Sequence, residues 1–223
     1  MKIVFMGTPD IAKGCLQKLI DEKLDIVGVV TQADKPIGRG KKMGMPPVKE
    51  LALEHNIPVY QPAKARDEEF INTLKEINPD LIIVVAYGQI LPKALLDIPK
   101  FGCVNVHVSL LPKYRGAAPI NWVIINGEEK TGVTTMYMNE GLDTGDIILQ
   151  SEFALSDEIT AGELHDIMME QGGELLIETI DKIKNNCAPR IPQNDEESSY
   201  APIMNKALGC IDFNKTAKEI HNL

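Results

Sequence analysis

The run Leu81–Ala86, LIIVVA, constrains the fold more than any other stretch of the chain. It is apolar at every position and rich in β-branched residues. A strand with one wet face alternates in polarity, so a strand with no alternation must be covered on both faces. Runs of the same kind recur at Lys2–Met6 (KIVFM), Asp25–Thr31 (DIVGVVT) and Cys103–Val108 (CVNVHV). Helical spacing lies between them, from GTPD to about Leu19, over Val48–His55 and over Asp67–Ile77, with a short strand at Pro58–Tyr60. Buried strands alternating with helices define an α/β fold. The expectation is a Rossmann-like open sheet, mostly parallel, with helices on both faces.

Further along, Ala118–Asn126 reads as a helix, and Gly132–Met138 and Asp146–Phe153 read as strands. Thr160–Lys184 reads as a long helix interrupted at Gly172 and Gly173. The stretch CAPRIPQNDEESSYAP has the composition of a linker, and NKTAKEIHNL reads as a helix that has only begun. Trp122 is expected in the core. His55, His165 and His221 fall in helices and are expected at the surface.

Several classes are disfavoured. The first βα turn is GTPD and not GxGxxG, so the dinucleotide fingerprint is missing. No apolar run approaches the length of a membrane span. The opening MKIVFMG leads directly into a Gly turn, as a buried first strand does and a signal peptide does not, so a cytoplasmic location is expected. Cys15, Cys103, Cys187 and Cys210 form no CxxC pair and have no His at ligand spacing, which points to free thiols and no metal. A net charge of −9 repels polyanions at long range, so any nucleic-acid contact needs a local basic patch or a part of the protein outside this stretch.

Two places carry chemistry. Asn105 and His107 sit at i and i+2, so their side chains share one face of a strand. They fall at its carboxyl end, where open α/β sheets bind ligands. An amide and an imidazole aimed at one point suit a carbonyl oxygen that becomes an oxyanion. Neighbouring loops could equally satisfy such a pair. In EGLDTGD, Gly141 and Gly145 permit a tight turn that presents Asp143, and a carboxylate beside an imidazole orients it and favours its charged form. A plain turn aspartate fits the same residues. The second place is DKPIGRGKKMGMPP, Asp34–Pro47, where Lys35, Arg39, Lys41 and Lys42 outweigh one acid in a Gly- and Pro-rich loop expected to lack regular structure. It reads either as a solvated surface loop or as a phosphate-binding element. It has no aromatic residue for base stacking.

The string NVHVSLLPKYRGAAP, followed by TGVTT and GLDTGD, resembles the folate-dependent formyltransferases. FMGTPD, TQADKPIGRGKK and the tail from YAP to the last residue extend the resemblance over nearly the whole chain, and they point to the branch that acts on methionyl-tRNA. The resemblance implies transfer of the formyl group of 10-formyltetrahydrofolate to the α-amino group of initiator methionyl-tRNA, through a tetrahedral oxyanion and without a metal. It implies Asn105, His107 and Asp143 as the catalytic set. His107 in its protonated form would join Asn105 as an oxyanion donor. Ser109, Leu110, Leu111 and Pro112, with Ile90, Leu91 and Asn139, would bind the folate. Lys35, Arg39, Lys41 and Lys42 would contact the tRNA. It also implies a catalytic domain over residues 1–188, a linker over 189–210 and the start of a further C-terminal region over 211–223. Formylation of an amino sugar nucleotide or of glycinamide ribonucleotide, or a non-catalytic folate-binding role, are the competing readings. The basic loop argues against the first two and the intact catalytic set against the third.

Overall fold

A computed structural model describes residues 1–37 and 42–223, with the side chains of Ile37 and Lys42 left aside. The elements follow in chain order as β1 (Ile3–Gly7), α1 (Asp10–Asp21), β2 (Ile26–Val30), β3 (Lys35–Ile37), β4 (Lys42–Gly44), α2 (Pro47–Glu54) and β5 (Val59–Tyr60). Next come α3 (Glu68–Ile77), β6 (Leu81–Val85), α4 (Lys93–Leu96), β7 (Cys103–His107), β8 (Arg115–Gly116), α5 (Pro119–Ile125) and β9 (Lys130–Tyr137). The chain ends through β10 (Ile147–Ala154), α6 (Ala161–Lys184), β11 (Tyr200–Ala201) and α7 (Ala217–His221).

Seven strands form the central sheet in the order β10-β9-β7-β6-β1-β2-β5. The block from β7 to β5 is parallel, β9 runs antiparallel to β7, and β10 runs antiparallel to β9. The continuous apolar runs supply the parallel block, because both of its faces are covered. Ile3, Phe5, Ile83, Val85, Val104 and Val106 pack with α1, α2 and α6. Val4, Met6, Ile82, Val84 and Cys103 pack on the other face with Phe70 and Leu74 of α3 and Leu95 of α4. β10 shows the alternation that β6 lacks, with half-buried Leu149, Ser151 and Phe153 alternating with exposed Gln150, Glu152 and Ala154.

Four sequence expectations are modified. The helix α6 is unbroken through Gly172 and Gly173. A β-carbon on Gly172 would lie 3.3 Å from Val106 and 3.5 Å from Cys15, so the glycine brings α6 close to the sheet and α1 and does not break the helix. The basic loop is not structureless at its ends, since Lys35–Ile37 pairs antiparallel with Lys42–Gly44 as a hairpin. Trp122 is only half-buried, and its Nε1 donates to the Pro202 carbonyl at 2.8 Å. That bond is one of several that fasten the stretch read as a linker. Ile191 exchanges two backbone hydrogen bonds with Ile147, and β11 pairs in parallel with β8. The helix α7 begins on a full capping box between Thr216 and Glu219.

Candidate active site

A cavity of about 560 Å³ opens at the carboxyl ends of β6 and β7. On β7 the residues alternate. Val104 and Val106 face the α1 and α6 side, and Cys103 faces the α3 and α4 side. Asn105 and His107 share the Cys103 face by the two-residue period and line the cavity. Both are buried, at 8% and 6% exposure. Among the described residues no protein group hydrogen-bonds the Asn105 side-chain amide, so it is free to donate into the cavity.

His107 is held from two sides. Its Nε2 lies 2.9 Å from the Tyr114 carbonyl. A carbonyl only accepts, so Nε2 carries a hydrogen and Nδ1 is the nitrogen left to exchange a proton. Nδ1 stands 3.7 Å from Asp143 Oδ2, an ion-pair distance for a charged ring but too long for a strong hydrogen bond. With Nε2–H engaged by Tyr114, His107 can reach a developing oxyanion only through Nδ1, and Asn105 is the unencumbered donor.

Tyr114 is itself fixed at several atoms. Its hydroxyl donates to Glu128 and accepts from Asn126 at 3.0 Å, and its backbone N–H donates to Ser199 Oγ at 2.8 Å. Burial, reinforced by Glu128, pushes its phenol up to about 12, so it remains a donor at neutral pH.

Asp143 comes from the turn between β9 and β10. Asn139 closes this turn by accepting from Gly141 N at 3.0 Å and Thr144 Oγ1 at 2.9 Å. A β-carbon on Gly145 would fall 1.6 Å from the Tyr137 carbonyl, so only glycine lets the turn sit that close to β9. Asp143 has a left-handed φ of 53°, and its Oδ2 accepts from Gly116 N at 2.8 Å. That bond aims the carboxylate at the His107 ring.

The remaining expected residues divide. Ile90, Leu91 and Asn139 line the same cavity as Asn105, His107 and Asp143. Ser109, Leu110, Leu111 and Pro112 do not line it. Leu111 packs with Met136 and Ile147, one layer behind the wall that Met136 forms. Ser109 Oγ donates to the Lys113 carbonyl at 2.7 Å, and the Ser109 carbonyl accepts from Thr134 Oγ1 at 2.6 Å. The physical reason is the loop's own closure, which turns these groups onto β9. Lys35 donates to Gln32 Oε1 at 2.7 Å at the hairpin root, while Arg39, Lys41 and the Lys42 side chain, expected beside it, lie outside the described residues. The root is clamped by Asp34, which accepts from Lys49 at 2.8 Å and from Gln61 at 2.8 Å. These bonds hold its carboxyl below the usual range.

Sequence reasoning missed Tyr87, Leu142 and Tyr200 in the cavity wall. Burial pushes the Tyr87 phenol up to about 12, and its hydroxyl has no hydrogen-bond partner among the described residues. An unpartnered amide in a mainly apolar cavity of this size suits a flat heterocyclic ligand with polar edges. Among the described residues no three His, Cys, Asp or Glu side chains stand together as a metal would require.

An amide donor, an oriented imidazole and a carboxylate meet at the floor of one cavity, an arrangement whose chemistry suits acyl transfer. The family model described as formyl transferase matches residues 1–180. The methionyl-tRNA formyltransferase of Clostridioides difficile (strain 630) is 74% identical over all of this chain and 72% of its own length. That of Alkaliphilus oremlandii (strain OhILAs) is 61% identical with the same coverage. Among solved structures, a sugar 3N-formyltransferase with dTDP and 5-N-formyl-THF superposes with a TM-score of 0.76 at 29% identity, over 100% of this chain and 77% of that one. The N-formyltransferase of Helicobacter canadensis, in complex with folinic acid and dTDP-3-aminofucose, gives 0.75 at 26% identity, over 100% and 78%. The chain belongs to the formyl transferase family and is a formyl-transferring enzyme.

Proposed function

We propose that this chain transfers the formyl group of 10-formyltetrahydrofolate to the α-amino group of methionyl-tRNA. The observation that carries the proposal is the convergence of the free Asn105 amide, His107 Nδ1 and Asp143 on one cavity floor. The names of its relatives at 74% and 61% identity support the choice of acceptor. An α-amine has an ordinary pKa of about 7.7–8.0, so a useful fraction is neutral at pH 7 and no strong base is needed to create the nucleophile. Asn105 donates to the formyl oxygen as the amine nitrogen bonds to the formyl carbon and charge moves to oxygen. His107 Nδ1 takes the amine proton, and Asp143 at 3.7 Å balances the resulting charge. The proton passes on to N10 as the bond from the formyl carbon to N10 breaks, so protons balance and no covalent enzyme intermediate forms. Ile90, Leu91 and Asn139 form the folate wall, with Ser109–Pro112 as the loop that supports it. Lys35, Arg39, Lys41 and Lys42 in the basic stretch meet acceptor phosphates, and a cytoplasmic setting suits both substrates.

The test is an acceptor panel with 10-formyltetrahydrofolate. Methionyl-tRNA should be formylated with a steep salt dependence. A dTDP-amino sugar and glycinamide ribonucleotide should not react appreciably. Efficient formylation of either small molecule in place of methionyl-tRNA would overturn the proposal.

A further inference from the structure

The Asp143 turn is held by a residue from the stretch that reads as a linker. Gln193 Nε2 donates to the carbonyl of Asp143 at 2.8 Å and to the carbonyl of Gly145 at 2.8 Å. Its Oε1 accepts from Arg115 Nε at 3.0 Å and from Arg115 Nη2 at 2.8 Å. The next residue, Gly116, gives its N–H to the Asp143 carboxylate. A ring of hydrogen bonds therefore closes around Asp143, through Gln193, Arg115 and Gly116, and holds both its backbone and its side chain.

The chemistry of the ring selects an amide of this length. The NH₂ group serves two carbonyls and the oxygen receives a guanidinium, so flipping the amide would lose all four bonds. Glutamate has no N–H for the carbonyls, and asparagine is one methylene short. The ring also holds Asp143 in its left-handed backbone conformation, which a non-glycine residue keeps only when its surroundings impose it. The Ile191–Ile147 bridge brings Gln193 to this place. Gln193 lies beyond residues 1–180, which the family model matches.

We infer that Gln193 is a positioning residue that sets the Asp143 carboxylate against His107. This rests on the formyl-transfer reading of the site given above. Gln193 does not touch the reacting atoms, so its effect must pass through Asp143.

The experiment measures formyl transfer to methionyl-tRNA by the whole protein carrying Gln193→Met, Asp143→Asn, or both. Small displacements of catalytic groups cost up to about 10²-fold in rate. Gln193→Met should therefore lower kcat by about 10–10²-fold, with acceptor KM and folate Kd within about twofold of the parent. Residues in one network are not additive, so the double variant should be no slower than Asp143→Asn alone. Losses that multiply in the double variant, a loss confined to KM, or a kcat near the parent's would each overturn the inference. If Asp143→Asn is itself near normal, the site reading fails along with it, and the single variants separate the two failures. If Gln193→Met does not fold, Gln193→Glu keeps the bonds from Arg115 but replaces the two donors by a carboxylate oxygen facing the two carbonyls. Near-normal kcat in that variant would overturn the inference as well.

Discussion

Thr134 gives a sharp test of how the site is built. It lies on β9 in register with His107 and is fully buried. Its Oγ1 donates to the Ser109 carbonyl at 2.6 Å, accepts from Leu111 N at 3.2 Å and accepts from Gln150 Nε2 at 2.9 Å. Thr134→Val keeps the shape and removes all three bonds. Gln150 retains its bond to the Leu111 carbonyl at 2.9 Å. The Ser109 carbonyl and the Leu111 N–H are left without partners in the interior. Each unsatisfied buried group costs about 1–3 kcal/mol, so the variant should lose about 2–6 kcal/mol. For a chain of this size about 1 kcal/mol moves Tm by about 2–4 °C, so Tm should drop on the order of 10 °C. The same loop carries the Tyr114 carbonyl onto His107, so kcat should fall even at temperatures where the variant is folded. Thermal unfolding followed by circular dichroism, beside a kcat measurement, reads both effects, and Thr134→Ser should restore them. A Thr134→Val protein with unchanged Tm and kcat would refute the role given to this hydroxyl.

Neutralising Lys35, Arg39, Lys41 and Lys42 together should weaken use of methionyl-tRNA and spare folate affinity. It should also flatten the salt dependence by about 0.9 in slope for each duplex phosphate that the hairpin no longer neutralises, and an unchanged slope would remove the hairpin from acceptor binding. Gly116→Ala would set a β-carbon 2.6 Å from the Tyr200 ring and 2.8 Å from the Ala201 carbonyl, at a φ of +116°. The strain should part β8 from β11, release Asp143 and lower kcat at least about tenfold with folate binding kept, as expected when a catalytic group is displaced. A normal kcat would contradict that linkage. Alkylation of the native protein at pH 8 should modify Cys187 and Cys210, which are exposed. It should spare Cys15 and Cys103, whose thiols burial pushes up to about 12. Peptide mapping reads the result, and native labelling of Cys15 or Cys103 would contradict their burial.

The parallel block was legible because a strand covered on both faces must be apolar throughout, as LIIVVA is. The pair Asn105 and His107 was legible because the strand period of two places them together wherever the strand sits. From its local pattern Asp143 reads equally as a plain turn residue, and it was the resemblance that placed it with His107. Its meeting with His107 depends on Gly116 and on the antiparallel return of β9, and local pattern carries neither. The roles of Gln193 and Tyr200 were hidden for a different reason. Their stretch is polar and Pro-rich, so it reads as a linker, while its fastening is done by backbone bonds and side-chain amides that leave no periodicity. The Tyr114 carbonyl that sets the His107 ring is a backbone group with no sequence signature. The hairpin of β3 and β4 was masked by the glycines and prolines that surround it. For Ser109–Pro112 the residues were singled out by resemblance, and only the structure shows them turned onto β9.

The most direct measurement is single-turnover formyl transfer to methionyl-tRNA by Asn105→Ala and by His107→Asn, each saturated with 10-formyltetrahydrofolate. Removing one oxyanion donor or its proton-handling partner typically costs about 10²–10³ in rate. Each variant should lose at least that much while folate Kd stays close to the parent's. A transfer rate near the parent's in either variant would mean that formyl transfer does not pass through the pair on β7.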